Sequence, residues 1–317
     1  MMQRPNLFGC GAAHIDRRAR SFEPLRSGAS NPGTLREEVG GGALNAARNA
    51  KRHGADVSLM SVRGGDMIGD LVGSSLDRWS IHDLSAVFLD RSTPSYTALL
   101  DHQGELVSAV ADMALYDLAF AKQLRRRKIR DAIDAADAVL CDANMPTDAL
   151  ERLVQSAGER PVFAIAVSPG KVRRLEPVLP ALSCLFMNRL ETLALSGMSS
   201  LPQAMVALRN SGLRRGVITA GEADTIMFDD SGCYSLRPPR SDAVVDVTGA
   251  GDALAGAATA ALISDCAFPE AVRRGIAAST LTIAAESCVA DYDDQTFEVV
   301  LASVGAPQRF TEIGINR

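Results

Sequence analysis

Short apolar, β-rich runs alternate with amphipathic helical stretches along most of this chain. LFGCG reads as a strand, ALNAARNAKRHG as a helix, DVSLMSVRG as a strand and IGDLVGSSLDRW as a helix; AVLCDA, VFAIAV and SCLFMN follow as strands with helices between them. A strand that is apolar at nearly every position cannot keep one face in water. It needs cover on both sides, and helical crossovers supply that cover. The expected class is therefore α/β, with a largely parallel central sheet. The 317 residues show no repeat, low-complexity tract or linker, which favours one major domain over two smaller ones.

Two segments break the rhythm. Arg20–Val39 is a polar insertion carrying SGASNPG, and Ser95–Ala111 holds two strand-like runs about a turn at HQGE. Together they are expected to form a small antiparallel sheet beside the main domain. Such a sheet is either a flap over a pocket or a surface hairpin without a role.

Composition excludes several classes. Hydrophobic residues make up 47% and charged residues 22%, an ordinary globular balance, and the net charge is -5. The one basic tract, RRRK at Arg125–Lys128, falls in a helical pattern and reads as a solvated face, so nucleic acid is not an expected partner. The N-terminal apolar run is too short for a signal peptide, and no later segment offers a membrane-length span, so a cytoplasmic location without membrane association is expected. Six scattered cysteines show no metal or redox spacing and read as buried thiols.

The stretch DVTGAGDALAGAATAAL, Asp246–Leu262, carries chemistry. Gly249, Ala250 and Gly251 place almost no side-chain bulk where a helix begins. The first N–H groups of that helix lack intrahelical partners, and its dipole favours negative charge there, so an anion suits the position. Asp252 reads as a helix cap or as a working carboxylate, and the two readings are compatible. A second glycine cluster, VGGGALNAARN, places Gly40, Gly41 and Gly42 before a helix with Asn45 on its first turn. NRLE (Asn188–Glu191) and VITAGEAD (Val217–Asp224) come between the two clusters.

These elements, in this order, resemble the ribokinase (PfkB) family of carbohydrate kinases over nearly the whole chain. The resemblance implies a ribokinase-like three-layer α/β/α domain spanning 1–317, with a small β-sheet lid from about 17–39 and 93–112. It implies phosphoryl transfer from ATP to a hydroxymethyl group, with Mg2+; a monovalent cation is left open. On that pattern Asp252 is the general base, and the Gly249, Ala250 and Gly251 N–H groups stabilise phosphoryl oxygens. Asp16, Gly40, Gly41 and Asn45 match acceptor-binding positions, Asp16 standing at the end of the first strand. Asn188, Thr219 and Gly221, with Gly249 and Gly251, match the ATP side, and Glu191 matches the residue that organises magnesium through water. Asn188 and Glu191 by themselves would read as a capping pair.

SNPGTLREEVGGGALNAARN, TPSYTALLDHQGELVSAVADM and ADAVLCDANMPTDAL further resemble the pseudouridine kinase subgroup, in which Tyr96 and Asp112 match positions that touch the base or ribose. The expected reaction is therefore phosphorylation of the 5′-hydroxyl of pseudouridine. Another sugar or nucleoside acceptor such as ribose, uridine or fructose is the alternative, and a silent nucleoside sensor is a further one. An NAD-dependent dehydrogenase is disfavoured because FGCGAAHID lacks a third glycine. The chain departs from its relatives at His14, Gly42, Leu44, Ile165 and Asp224. The resemblance also implies a homodimer.

Overall fold

The computed structural model of the protein describes residues 4–240 and 244–310. Among these, a ten-stranded sheet runs in the order Gln308–Phe310, Gly232–Leu236, Thr225–Asp229, Gly216–Thr219, Cys184–Asn188, Val162–Ile165, Ala138–Asp142, Asn6–Cys10, Asp56–Met60 and His82–Asp83. From Gly216–Thr219 to His82–Asp83 every pairing is parallel, and the strands at the other edge are antiparallel.

The apolar runs behave as two-sided strands must. Val139 and Cys141, Val162 and Ala164, and Leu185 and Met187 enter one core, beneath the helices of the chain's middle third such as Ala114–Gln123 and Thr147–Ala157. Their alternates Ala138 and Leu140, Phe163 and Ile165, and Cys184 and Phe186 enter a second core, under helices Gly42–Arg52, Ala250–Leu262 and Phe268–Ile283. Period-two alternation thus feeds two layers.

The small residues after the GAGD turn have a packing reason. A Cβ at Gly256 would stand 2.3 Å from the Ala46 carbonyl oxygen, and one at Gly275 2.7 Å from that of Leu254. Helices 42–52 and 268–283 therefore approach helix 250–262 at backbone distance, which only small side chains permit.

A separate four-stranded sheet has the order Gly33–Gly40, His14–Ser21, Ser95–Leu100, Leu106–Asp112. It differs from the expected antiparallel sheet. Its outer pairings are antiparallel, but His14–Ser21 runs parallel to Ser95–Leu100, because the two hairpins are joined side by side by strands far apart in sequence. Asp16 lies inside this sheet rather than at the end of the first strand, which stops at Cys10. RRRK straddles the break between helices Ala114–Gln123 and Arg127–Asp134, and all four side chains are exposed. No described helix is long and apolar enough to cross a membrane. Cys10, Cys141, Cys184, Cys233 and Cys288 are buried and Cys266 is half-buried; all six are free thiols.

Candidate active site

Cys10, Asp142, Ile165, Asn188 and Thr219 end adjacent parallel strands at one edge of the sheet. Open α/β sheets bind ligands beyond the carboxyl ends of their strands. Helices 42–52 and 250–262 both start at this edge: Leu44 N donates to the Ala12 carbonyl, and a Cβ at Gly42 would meet carboxylate oxygens of both Asp142 and Asp252. A cleft of about 370 Å3 at the opposite strand ends, lined by Asn6, Lys51, Asp56 and His82 among others, gathers no comparable chemistry.

Asp142 organises this edge. Its carboxylate is fully buried and accepts from the backbone N–H groups of Ala12 (3.1 Å), Ala43 (2.9 Å) and Asn144 (3.0 Å) and from the Asn144 side chain (3.1 Å). It thereby fixes the turn after the first strand to the start of helix 42–52. The sequence reading missed this role. Its signal was available: a carboxylate closing the otherwise apolar strand AVLCD, which burial forces to find several donors. Asn144, in one of the subgroup stretches, orders this carboxylate and accepts from Lys171 Nζ at 2.6 Å.

Asp252 sits in the first turn of helix 250–262 and accepts from Asn45 Nδ2 at 3.0 Å. Desolvation pushes its pKa from the ordinary 3.8 up to about 7; the Asn45 hydrogen bond opposes the rise, and the carboxylates of Asp142, Asp16 and Glu191 add to it. Beside it Gly249 adopts φ +78, and a Cβ there would fall 2.7 Å from the Cys288 carbonyl oxygen. Gly251 is exposed and a Cβ there would meet nothing within 4 Å, so the helix N-terminus opens onto free space.

Gly40 and Gly41 have separate reasons to be glycine. A Cβ at Gly40 would collide with Asp16 Oδ2, at 2.2 Å; Gly41, at φ +114, lies against the Ala12 carbonyl. The carboxylate of Asp16 therefore lies across Gly40, on the side where Asn45 Nδ2 stands 3.9 Å from that same Cβ position. His14 bridges Asp16 Oδ1 at 3.2 Å and the buried Tyr116 hydroxyl at 3.1 Å. Tyr96 is the register partner of Asp16 and shares its face of the small sheet. Asp112 pairs with Ser95, which puts it on the opposite, outer face, exposed. The structure thus brings Asp16, Gly40, Gly41, Asn45, Tyr96 and Asp252 toward one place and leaves Asp112 away from it. Asn31, in another subgroup stretch, closes the exposed hairpin tip by bonding Arg26.

Asn188 and Glu191 form a reciprocal capping box: Glu191 N donates to Asn188 Oδ1 at 2.9 Å, and Asn188 N to Glu191 Oε2 at 2.7 Å. The capping reading is therefore realised. Glu191 is buried, and desolvation raises its pKa. Thr219 is the register partner of Asn188 on the next strand, and Gly221 takes φ +61 in the turn beyond, with open space around it. No described group of three or more His, Cys, Asp or Glu side chains forms a metal cage. This donor set fits a magnesium ion held mainly by phosphate oxygens and water with one carboxylate nearby, the usual habit of Mg2+ with nucleotides. Asp142 has its oxygens taken by four N–H donors; Glu191, with Oε2 on its own cap, is the candidate carboxylate.

Two contacts tie the small sheet to this edge. Arg18 ion-pairs with Asp246, whose Oδ1 accepts from Thr248 N at 2.8 Å; the Thr248 and Arg18 contacts hold the Asp246 carboxyl below its ordinary range against the opposing effect of burial. Glu38 Oε1 accepts from Ser287 Oγ and Cys288 N, both at 3.0 Å.

Comparison with known proteins adds to this half-buried acid and its buried amide partner at a glycine-lined helix start. A sequence model of the pfkB family carbohydrate kinases matches residues 7–295. The chain belongs to this family. It is 29% identical to the pseudouridine kinase of Escherichia coli (strain K12) over 292 residues, 90% of this chain and 93% of that one. A solved carbohydrate kinase from Agrobacterium tumefaciens is 40% identical, with a TM-score of 0.85 over 96% of this chain and 100% of that chain. The Arabidopsis thaliana ribokinase solved with ribose and ATP shares the fold at 19% identity, with a TM-score of 0.82 over 95% and 99% of the two chains. The protein is thus a carbohydrate or nucleoside kinase of ribokinase-like α/β fold, and the family implies ATP as phosphoryl donor.

Against this pfkB frame the departures have locations. Gly42 borders both Asp142 and Asp252, so a longer side chain there would enter the site. Leu44 is fully buried in the core, and Ile165 stands in register with Asp142. Asp224 pairs with Arg237 at 2.6 Å.

Proposed function

We propose that this kinase transfers the γ-phosphoryl group of ATP to the 5′-hydroxyl of pseudouridine, giving pseudouridine 5′-phosphate and ADP. The observation that carries the catalytic reading is Asp252, a carboxylate with its pKa near 7 at the open N-terminus of helix 250–262, fixed by Asn45. A general base works best with a pKa near the operating pH.

In this reading Asp16 holds ribose hydroxyls by charge-assisted hydrogen bonds, with Gly40 and Gly41 allowing backbone approach and Asn45 at the pocket's edge. Tyr96 flanks the base, and the small sheet covers the acceptor as a lid. A carboxylate oxygen of Asp252 takes the proton of the 5′-hydroxyl. The deprotonated 5′-oxygen of the acceptor forms the new bond to the γ-phosphorus as the bond from phosphorus to the bridging oxygen breaks, and ADP leaves with the electron pair. In this reading the N–H groups of Gly249 and Gly251 stabilise the negative charge that gathers on the transferring group, whereas the Ala250 N–H, expected from the sequence to join them, donates to the Val247 carbonyl at 3.3 Å. Asn188, Thr219 and Gly221 line the nucleotide side. Magnesium near Glu191 would neutralise phosphate charge.

The pseudouridine assignment is supported by the E. coli relative and by the sequence stretches outside the kinase signatures. Uridine presents a different base edge, and unpaired polar groups in the pocket would select against it. A coupled ADP-release screen of pseudouridine, uridine, guanosine, ribose and fructose tests this. The expected result is the highest kcat/KM for pseudouridine; a higher value for any other acceptor overturns the subgroup reading and leaves the kinase. A second copy of the chain is the proposed partner, through the outer face of the small sheet where Leu35, Leu99 and Val110 are exposed together; light scattering reads it.

A further inference from the structure

Arg48 is 5% exposed, one turn along helix 42–52 from Asn45. Its guanidinium donates from Nη1 to the Val39 carbonyl at 2.8 Å and to Asn45 Oδ1 at 3.3 Å, and from Nη2 to Ser75 Oγ. Burial lowers its pKa to about 10, so it stays charged at neutral pH. These contacts reach three elements: the small-sheet strand Gly33–Gly40, helix 42–52 and helix Met67–Arg78.

An asparagine amide has one accepting and one donating end, and which end faces a carboxylate depends on the group at its other side. Arginine has donors only. With Arg48 behind it, Asn45 must turn Oδ1 to the guanidinium, which leaves Nδ2 toward Asp252, where it donates at 3.0 Å. We propose that Arg48 is a positioning residue that fixes the orientation of the Asn45 amide, so that Asn45 donates to Asp252 and holds that carboxylate ionised and aimed for proton transfer. Arg48 makes no hydrogen bond to Asp252 and reaches the pocket only through Asn45. The inference rests on the base role of Asp252 and is independent of which acceptor the enzyme uses.

The charged groups that act on Asp252 are Asp16 on the small sheet, Asp142 at its strand end and Glu191 in the capping box, all carboxylates; the neutral Cys288 thiol also faces it, and Asp252 helps to raise that thiol's pKa. The Asn45 donor is the hydrogen bond that opposes their combined effect. A reversed amide would instead set Oδ1 against the carboxylate, a repulsive contact.

The test is the titration of Asp252 by carboxyl-carbon NMR on protein labelled with 13C-aspartate, its signal assigned by its loss in Asp252→Asn. This needs no substrate. Arg48→Gln, whose amide accepts as well as donates, is expected to move the Asp252 midpoint up by about one pH unit, and Arg48→Lys, a donor only, to leave it near the parent value. In an Asn45→Ala background Arg48→Gln is expected to cause no further movement. An unchanged midpoint in folded Arg48→Gln overturns the proposal. So does a shift that persists without Asn45, since the arginine would then be acting through its charge alone. If Asp252→Asn keeps full turnover with the acceptor found by screening, the base reading fails separately.

Discussion

Replacing Asp252 by asparagine is expected to weaken catalysis and to strengthen the fold, and the second effect can be worked from the structure. The folded-state pKa near 7 lies about three units above the ordinary 3.8. A raised carboxylate pKa means that the folded state holds a proton the unfolded chain has lost between about pH 4 and pH 7. Stability from this group therefore falls as pH rises through that window, by about 1.4 kcal/mol per unit, and is level above it. The full cost reaches about 4 kcal/mol at pH 8; because Asp252 keeps some solvent contact, about 2–4 kcal/mol is the working range. Asparagine carries no such penalty. Near pH 4 the variant and parent should melt together, and at pH 8 the variant should melt higher by roughly 3–6 °C for a chain of this size. Scanning calorimetry at pH 4.5, 6 and 8 measures the difference, and coupled ADP release measures turnover, expected to drop about 10²–10⁴-fold. A melting difference that does not grow with pH refutes the desolvation argument. Turnover close to the parent value, with chemistry limiting, removes Asp252 from the base role.

The same pKa sets the rate profile: kcat/KM should rise with pH and level off above about 7, and Glu191→Gln, by removing one carboxylate that acts on Asp252, should move that limb to lower pH. Gly249→Ala and Gly251→Ala separate folding from ligand contact. The first forces a Cβ into the Cys288 carbonyl at positive φ and should lower Tm, whereas the second meets open space and should leave Tm unchanged or slightly raised while the KM for ATP increases. Asp16→Ala should cost about 2 kcal/mol in acceptor kcat/KM with little change in ATP affinity, checked by varying each substrate in turn; equal losses for both would point to disrupted folding.

The parallel sheet and its two helical layers were legible because each strand's neighbours in sequence carry the signal: AVLCD, VFAI and CLFMN are apolar at consecutive positions, and such runs have few stable environments. The GAGD turn was legible for a similar reason, since small residues at a helix start leave backbone donors accessible. The mixed small sheet was not. The parallel pairing of His14–Ser21 with Ser95–Leu100 joins segments remote in sequence, and no local periodicity distinguishes it from two separate hairpins. Asp112 shares a sequence stretch with Tyr96, and only the register shows that it faces away from Asp16.

The sequence by itself determined the residue types, the order of strands and helices, and the positions at which glycine is required. Tertiary structure decided the chemistry of Asp252. A carboxylate near residue 250 has an ordinary pKa until helix 250–262 packs against helix 42–52, Asn45 reaches it, and Asp16, Asp142 and Glu191 arrive from three other elements. Proton affinity depends on solvent exclusion and on charges within a few ångströms, and those neighbours are assembled by packing between residues far apart along the chain.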